Sequence, residues 1–225
     1  MHTDLEQDQV RVTGTSFFKR IMVPVITAVI IGILMGWAAK LVDRPGITPF
    51  FDDLGGRLGI WVFTAALLAV FSYSPKLAAV RVFAFFASML TVYYLYTTLV
   101  LDFFPAREIL FWGICSAVSP VCGYLMWYAR GGGGWFAPVV SALPITVLLA
   151  EGFELRHAYL PVHYHYYLIP WLMAVYLLMA AALLLIIPKR KTQSLIVLPI
   201  ALLLALIMIS LDLLGALFGG MNGVL

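Results

Sequence analysis

Between Arg20 and Lys40 the chain reads IMVPVITAVIIGILMGWAA, Ile21 to Ala39, without one charged side chain. As a helix rising 1.5 Å per residue this run covers about 28 Å, close to the ~30 Å hydrocarbon core of a bilayer. A secretory leader carries a shorter apolar stretch, about 7–15 residues, followed by a small-residue cleavage site. This run is longer and lacks that exit, so it is read as a retained first transmembrane helix. The polar, mixed-charge residues 1–17 are expected to form a cytoplasmic N-terminal tail, and 18–225 a single transmembrane domain.

The same pattern recurs outward from that run. Seven spans are expected, at about Phe18–Val42, Arg57–Ser72, Lys76–Leu101, Arg107–Ala129, Trp135–Leu155, Tyr164–Pro188 and Ser194–Phe218, the second being the shortest. The breaks carry helix-stopping proline or glycine: RPGITPFFDDLGG, SYSPK, DFFPARE, the four glycines Gly131 to Gly134, and PKRK at Pro188–Lys191. The fold class is therefore all-α, a polytopic membrane helical bundle. Composition agrees: 63% of residues are hydrophobic and 11% charged, with a mean hydropathy of +1.01, whereas soluble domains carry about 25% charged residues. No basic block points to nucleic acid.

Orientation follows from lysine and arginine. With the N-terminus cytoplasmic, Arg11, Lys19, Arg20, Lys76, Arg81, Arg130, Lys189, Arg190 and Lys191 lie inside. Lys40, Arg44, Arg57, Arg107 and Arg156 lie outside, a split of 9 to 5 among the 14 basic residues. Most carboxylates fall outside. Gly32-x-x-x-Gly36 in the first span permits close contact with another helix. Cys115 and Cys122 share a helix face about 10 Å apart along the axis, too far to bridge, and read as packing residues.

Chemistry concentrates in EGFELRHAYLPVHYHYYLIPW, Glu151 to Trp171, which holds three of the four histidines. Counted from the inner boundary, Tyr93, Glu151 and Asp212 come out at one level, roughly 24–27 Å up. Carboxylates within spans usually face the bundle interior or a water-filled cavity. The expected ligand site is an outward-facing vestibule formed by Glu151 and Asp212 with Tyr93, Tyr96 and Trp171. Aromatic faces beside carboxylates suit an organic cation. The competing reading of these aromatics is a lipid-facing interfacial belt. A metal reading uses His157, His163 and His165 with a glutamate, which could supply Zn²⁺ ligands if His163-x-His165 is extended. No H-E-x-x-H, G-x-S-x-G or phosphate-cradling motif accompanies these residues.

The stretches LGIWVFTAALLAVFSYSPKLAAVRVFA, VYYLY, FWGICSAVSPVCGYLMWYARGGGGW and LLAEGF, from Leu58 to Phe153, resemble a family of uncharacterised bacterial small multi-pass membrane proteins. That resemblance implies a bacterial plasma membrane location and no activity. In size and in its aromatic vestibule the chain is also similar to the substrate-binding subunits of energy-coupling vitamin transporters. The leading expectation is a small-molecule-binding membrane protein, a transporter or transporter subunit rather than an enzyme, without a cofactor. Its partners would be the lipid bilayer, a cationic solute, and a second membrane subunit or another copy of the chain. The alternatives are a membrane zinc enzyme and a scaffold assembling through faces such as Gly32/Gly36.

Overall fold

The computed structural model describes residues 2–42, 49–131, 134–158, 166–189 and 191–216, with side chains for 19–42, 50–51, 54–131, 134–155, 166–189 and 191–216. These form α1 (His2–Val42), α2 (Pro49–Gly55), α3 (Leu58–Val70), α4 (Pro75–Val100), α5 (Ala106–Trp127, extended by a 3₁₀ turn to Arg130), α6 (Phe136–Ala158), α7 (Ile169–Ile186) and α8 (Lys191–Ser210). Among them, six apolar stretches are long enough to cross a membrane: Lys19–Val42, Pro75–Val100, Ala106–Arg130, Phe136–Leu155, Tyr166–Ile186 and Lys191–Ser210.

The remaining apolar helix, α3, falls within the expected second and shortest span, Arg57–Ser72. It has 13 residues and so covers only about 20 Å, short of a ~30 Å core. Its end is set locally. Ser74 caps α4 by accepting the Leu77 N–H at 3.2 Å, and Pro75 occupies the first turn of that helix, where its missing N–H costs nothing. The SYSPK turn thus reverses the chain directly after Phe71.

Two three-helix groups flank α3. In one, α4 packs between α1 and α5; in the other, α6 packs against both α7 and α8. Helix α3 touches members of both groups, while α5 and α6 scarcely meet. The most buried span is α6, with 67% of its apolar window covered against 17–33% in the other five. The rest therefore present broad apolar faces outward, as lipid-exposed helices should.

Glycine sets the closest approach. A methyl group at Gly32 would overlap Ser88 Oγ and the Phe85 carbonyl oxygen, and one at Gly36 would overlap the Met89 carbonyl oxygen. The small-xxx-small pair is therefore filled by α4 of the same chain, as such pairs allow. This corrects the expectation that Gly32/Gly36 offers a face to a separate subunit. Ser88 Oγ also lies 3.2 Å from the Val29 carbonyl oxygen on α1, adding a polar tie at the contact.

Gly36→Val should lower the thermal stability of the detergent-solubilised protein by about 1–3 kcal/mol through overpacking. Gly113, where an added Cβ meets nothing within 4 Å, is the control, and Gly113→Ala should leave the melting temperature nearly unchanged. Equal melting curves for Gly36→Val and the wild type would contradict the close α1–α4 contact.

Candidate functional site

The N-terminus of α3 is partly buried against the bundle, and a helix start exposes four N–H groups without intrahelical partners. The residue before the helix, Arg57, supplies no side-chain cap. The cap comes from another helix: Glu151 Oε1, on α6, accepts the Leu58 N–H at 2.8 Å. Glu151 is only 7% exposed. The Gly59 N–H and the Tyr176 hydroxyl also face its carboxylate, and Arg57 supplies the nearby positive charge. A carboxylate at a helix N-terminus is favoured by the helix dipole as well as by the hydrogen bond.

Tyr176, on α7 and 1% exposed, completes this junction. A methyl at Gly59 would run into its ring, and one at Gly152 would press on its Cβ at 2.9 Å. Helices α3, α6 and α7 thus meet through one carboxylate, one tyrosine and two glycines. Glu154, one turn further along α6, is within electrostatic range of Glu151, Asp212 and Arg57. The structure therefore brings Glu151 and Asp212 to the same end of the bundle through adjacent helices.

The other expected vestibule residues sit on α4, on α7 and past the end of α8. Tyr93 is on α4 and engages α1: Lys40 Nζ donates to its hydroxyl at 3.3 Å and sits 4.4 Å from its ring centroid. Lys40 is 8% exposed, so this buried ammonium combines a hydrogen bond with a cation–π contact. Tyr96 lies one turn on, half-buried on the same helix. Asp212 follows the end of α8 with φ at 45° and an exposed side chain. Trp171 is 69% exposed, which matches the interfacial-belt reading. Lys40 was legible in the sequence only as an outer cation, because nothing in its spacing marks its burial against Tyr93.

One concavity among the described residues is apolar and does not coincide with the carboxylates. A groove of about 320 Å³ runs along α3, lined by Leu58, Ala65 and Ala69 below, with walls from α4, α5 and α6. Both cysteines line it, and Cys115 is half-buried while Cys122 is exposed. They are groove residues on α5, which corrects their reading as packing residues. From Trp112 to Met126, both on its wall, α5 advances about 21 Å. The mouth faces outward between α5 and α6, where Cys122, Leu125 and Leu143 are exposed. One end of the groove reaches Leu58, the residue that Glu151 holds.

Of the metal-site residues, the side chain of His157 and the whole of His163 and His165 lie outside the described residues. Among the described residues no three His, Cys, Asp or Glu side chains converge on a common point. No protein-family model matches the chain, and neither curated protein sequences nor solved structures show significant similarity to it.

Glu151→Ala would leave the part-buried Leu58 N–H without its acceptor, at a cost of about 1–3 kcal/mol. Glu151→Gln keeps an acceptor oxygen and should recover most of the loss. Thermal unfolding in detergent reads the difference; an alanine variant as stable as wild type would contradict the capping role.

Proposed function

We propose that the chain is a ligand-binding integral membrane protein, a carrier or the ligand-binding subunit of one. Its ligand enters sideways from the bilayer into the groove along α3. The observation that carries this reading is the groove itself. Its volume falls at the lower end of the roughly 300–1,000 Å³ usual for small-molecule pockets. Its lining is almost wholly apolar, and its mouth opens between two helices that otherwise present apolar side chains outward. An apolar or amphipathic molecule fits such a wall better than the organic cation expected from the carboxylates, since Glu151 is engaged in capping α3. No nucleotide-binding motif is present in the sequence, so directed movement of the ligand would draw on a partner subunit or an ion gradient.

The orientation belongs to the same proposal. The antiparallel run of the helices gathers Lys19, Arg20, Lys76, Arg81, Arg130, Lys189 and Lys191 at one end. Asp102, Glu108, Glu151, Glu154 and Asp212 lie at the other. The positive-inside rule makes the first end cytoplasmic, which puts the start of α1 inside and Asp212, past the end of α8, outside. The short α3 carries the chain from the outer end of α1 back to the inner start of α4, a seventh passage made by a helix shorter than the other six. The resemblance drawn from the Leu58–Phe153 stretches supports a bacterial plasma membrane as its location.

Cys122 offers a direct test. In a Cys115→Ala background in lipid nanodiscs, N-ethylmaleimide should alkylate Cys122, and added oleate should slow the reaction several-fold by occupying the groove. A reactive Cys122 whose alkylation rate is indifferent to oleate would overturn the reading.

A further inference from the structure

At the basic end, beyond the groove, a buried arginine and a half-buried one have guanidinium nitrogens left over. Arg81 on α4 is 8% exposed, and its Nη1 donates to Ser72 Oγ at 3.0 Å. Ser72 is already committed: its hydroxyl donates to the Leu68 carbonyl at 2.7 Å, and its own carbonyl accepts Trp127 Nε1 at 2.9 Å. Arg130, just past the end of α5, lies with its guanidinium carbon 5.0 Å from the Phe71 ring centroid. The Nε atoms of both Arg81 and Arg130 are buried and make no hydrogen bond. Among the residues whose side chains are described, Asp102, Glu108, Glu151, Glu154 and Asp212 all lie at the opposite end of the bundle.

A buried charge without a counter-ion is costly, and a guanidinium has five donors in a fork matched to a phosphate or carboxylate. The neighbouring surface narrows the choice of anion. The basic end of the groove is bounded by Ala69, Val82, Gly123 and Met126. Ser72 is one turn past Ala69 on α3, Arg81 adjoins Val82 on α4, and Arg130 is one turn past Met126 on α5. The anion site and the end of an apolar channel therefore share three consecutive helices. The channel, about 21 Å long, exceeds the ~15 Å depth of one leaflet, so an acyl chain anchored at this end stays within it.

We infer that this end binds an anionic phospholipid of the cytoplasmic leaflet, with its phosphate at Arg81 and Arg130 and an acyl chain in the groove. The inference rests on the proposed reading that the groove takes an apolar ligand. It adds the headgroup and its sign. Bidentate arginine–phosphate pairing supplies the selectivity, and the apolar wall supplies retention. The cation–π contact holds the Arg130 guanidinium over Phe71, the residue that ends α3, next to Ser72, which holds Arg81.

The test is native mass spectrometry of the full chain, delipidated in detergent and offered dioleoylphosphatidylglycerol or dioleoylphosphatidylcholine. Wild type should retain the anionic lipid in preference to the neutral one, and Arg81→Gln should cut that preference roughly fivefold or more. Arg130→Gln reads the same effect should Arg81→Gln fail to accumulate. Ala65→Phe, which fills the groove, should reduce retention of both lipids. Unchanged headgroup preference in both arginine variants would overturn the inference while leaving the groove reading standing. Retention of neither lipid by wild type would sink both. Displacement of phosphatidylglycerol by an equal concentration of glycerol 3-phosphate would assign the arginines to a free phosphate and overturn the lipid.

Discussion

The bundle depends on one contact, the 2.8 Å hydrogen bond from the Leu58 N–H to the Glu151 carboxylate. A helix of 13 residues cannot carry its own termini to both headgroup regions, so at least one end stays among apolar side chains. There, unsatisfied N–H groups cost several kcal/mol each in the absence of water. A carboxylate from the most buried helix meets that requirement and adds a favourable charge at the positive end of the α3 dipole. The same residue ties α3 to α6, and Tyr176 in the gap made by Gly59 and Gly152 ties both to α7.

Once α3 is fixed, the remaining architecture follows from its shortness. Helices α1, α4 and α5 gather on one side of it and α6, α7 and α8 on the other. A short helix bridges the two groups without filling the space between α5 and α6, and the groove is that space. Its floor is α3, so the residue holding the floor stands at one end of the groove and the Ser72–Arg81 bond stands at the other. Polar interactions at the two ends of an apolar helix thus bound the concavity. The two ends of the groove differ in charge, with the Glu151 carboxylate near one and the Arg81 guanidinium near the other, and apolar walls between.

How much of this the sequence carried can be traced residue by residue. Ile21–Ala39 and the other long runs announce membrane crossing by length and lack of charge. The charge asymmetry between the two ends is legible from the positions of lysine and arginine. Glu151 stands out in the sequence as a carboxylate inside an apolar run, but its partner is a backbone N–H 93 positions away. A backbone group has no sequence signature, so a cap donated across the bundle reads as a ligand site. Gly32 and Gly36 announce a close helix contact without naming α4 as the partner. Cys115 and Cys122 share a face, yet the sequence does not say that the facing helix is missing there. Arg81 reads as one more positive-inside residue, and only the turn at Ser72 shows that it is buried. Lys40 against Tyr93 is hidden for the same reason: both are tertiary pairings between helices far apart in the chain.

The account stands on α3 being a buried, capped half-length helix, and hydrogen exchange measures that most directly. In lipid nanodiscs the amides of Leu58 to Ile60, which would be the fraying first turn of an uncapped short helix, should be protected to a degree approaching those in the middle of α6. In Glu151→Ala the protection of that first turn should collapse while the α6 interior keeps its own. Fast exchange at Leu58 to Ile60 in the wild-type protein, or exchange there indifferent to the loss of Glu151, would contradict the account.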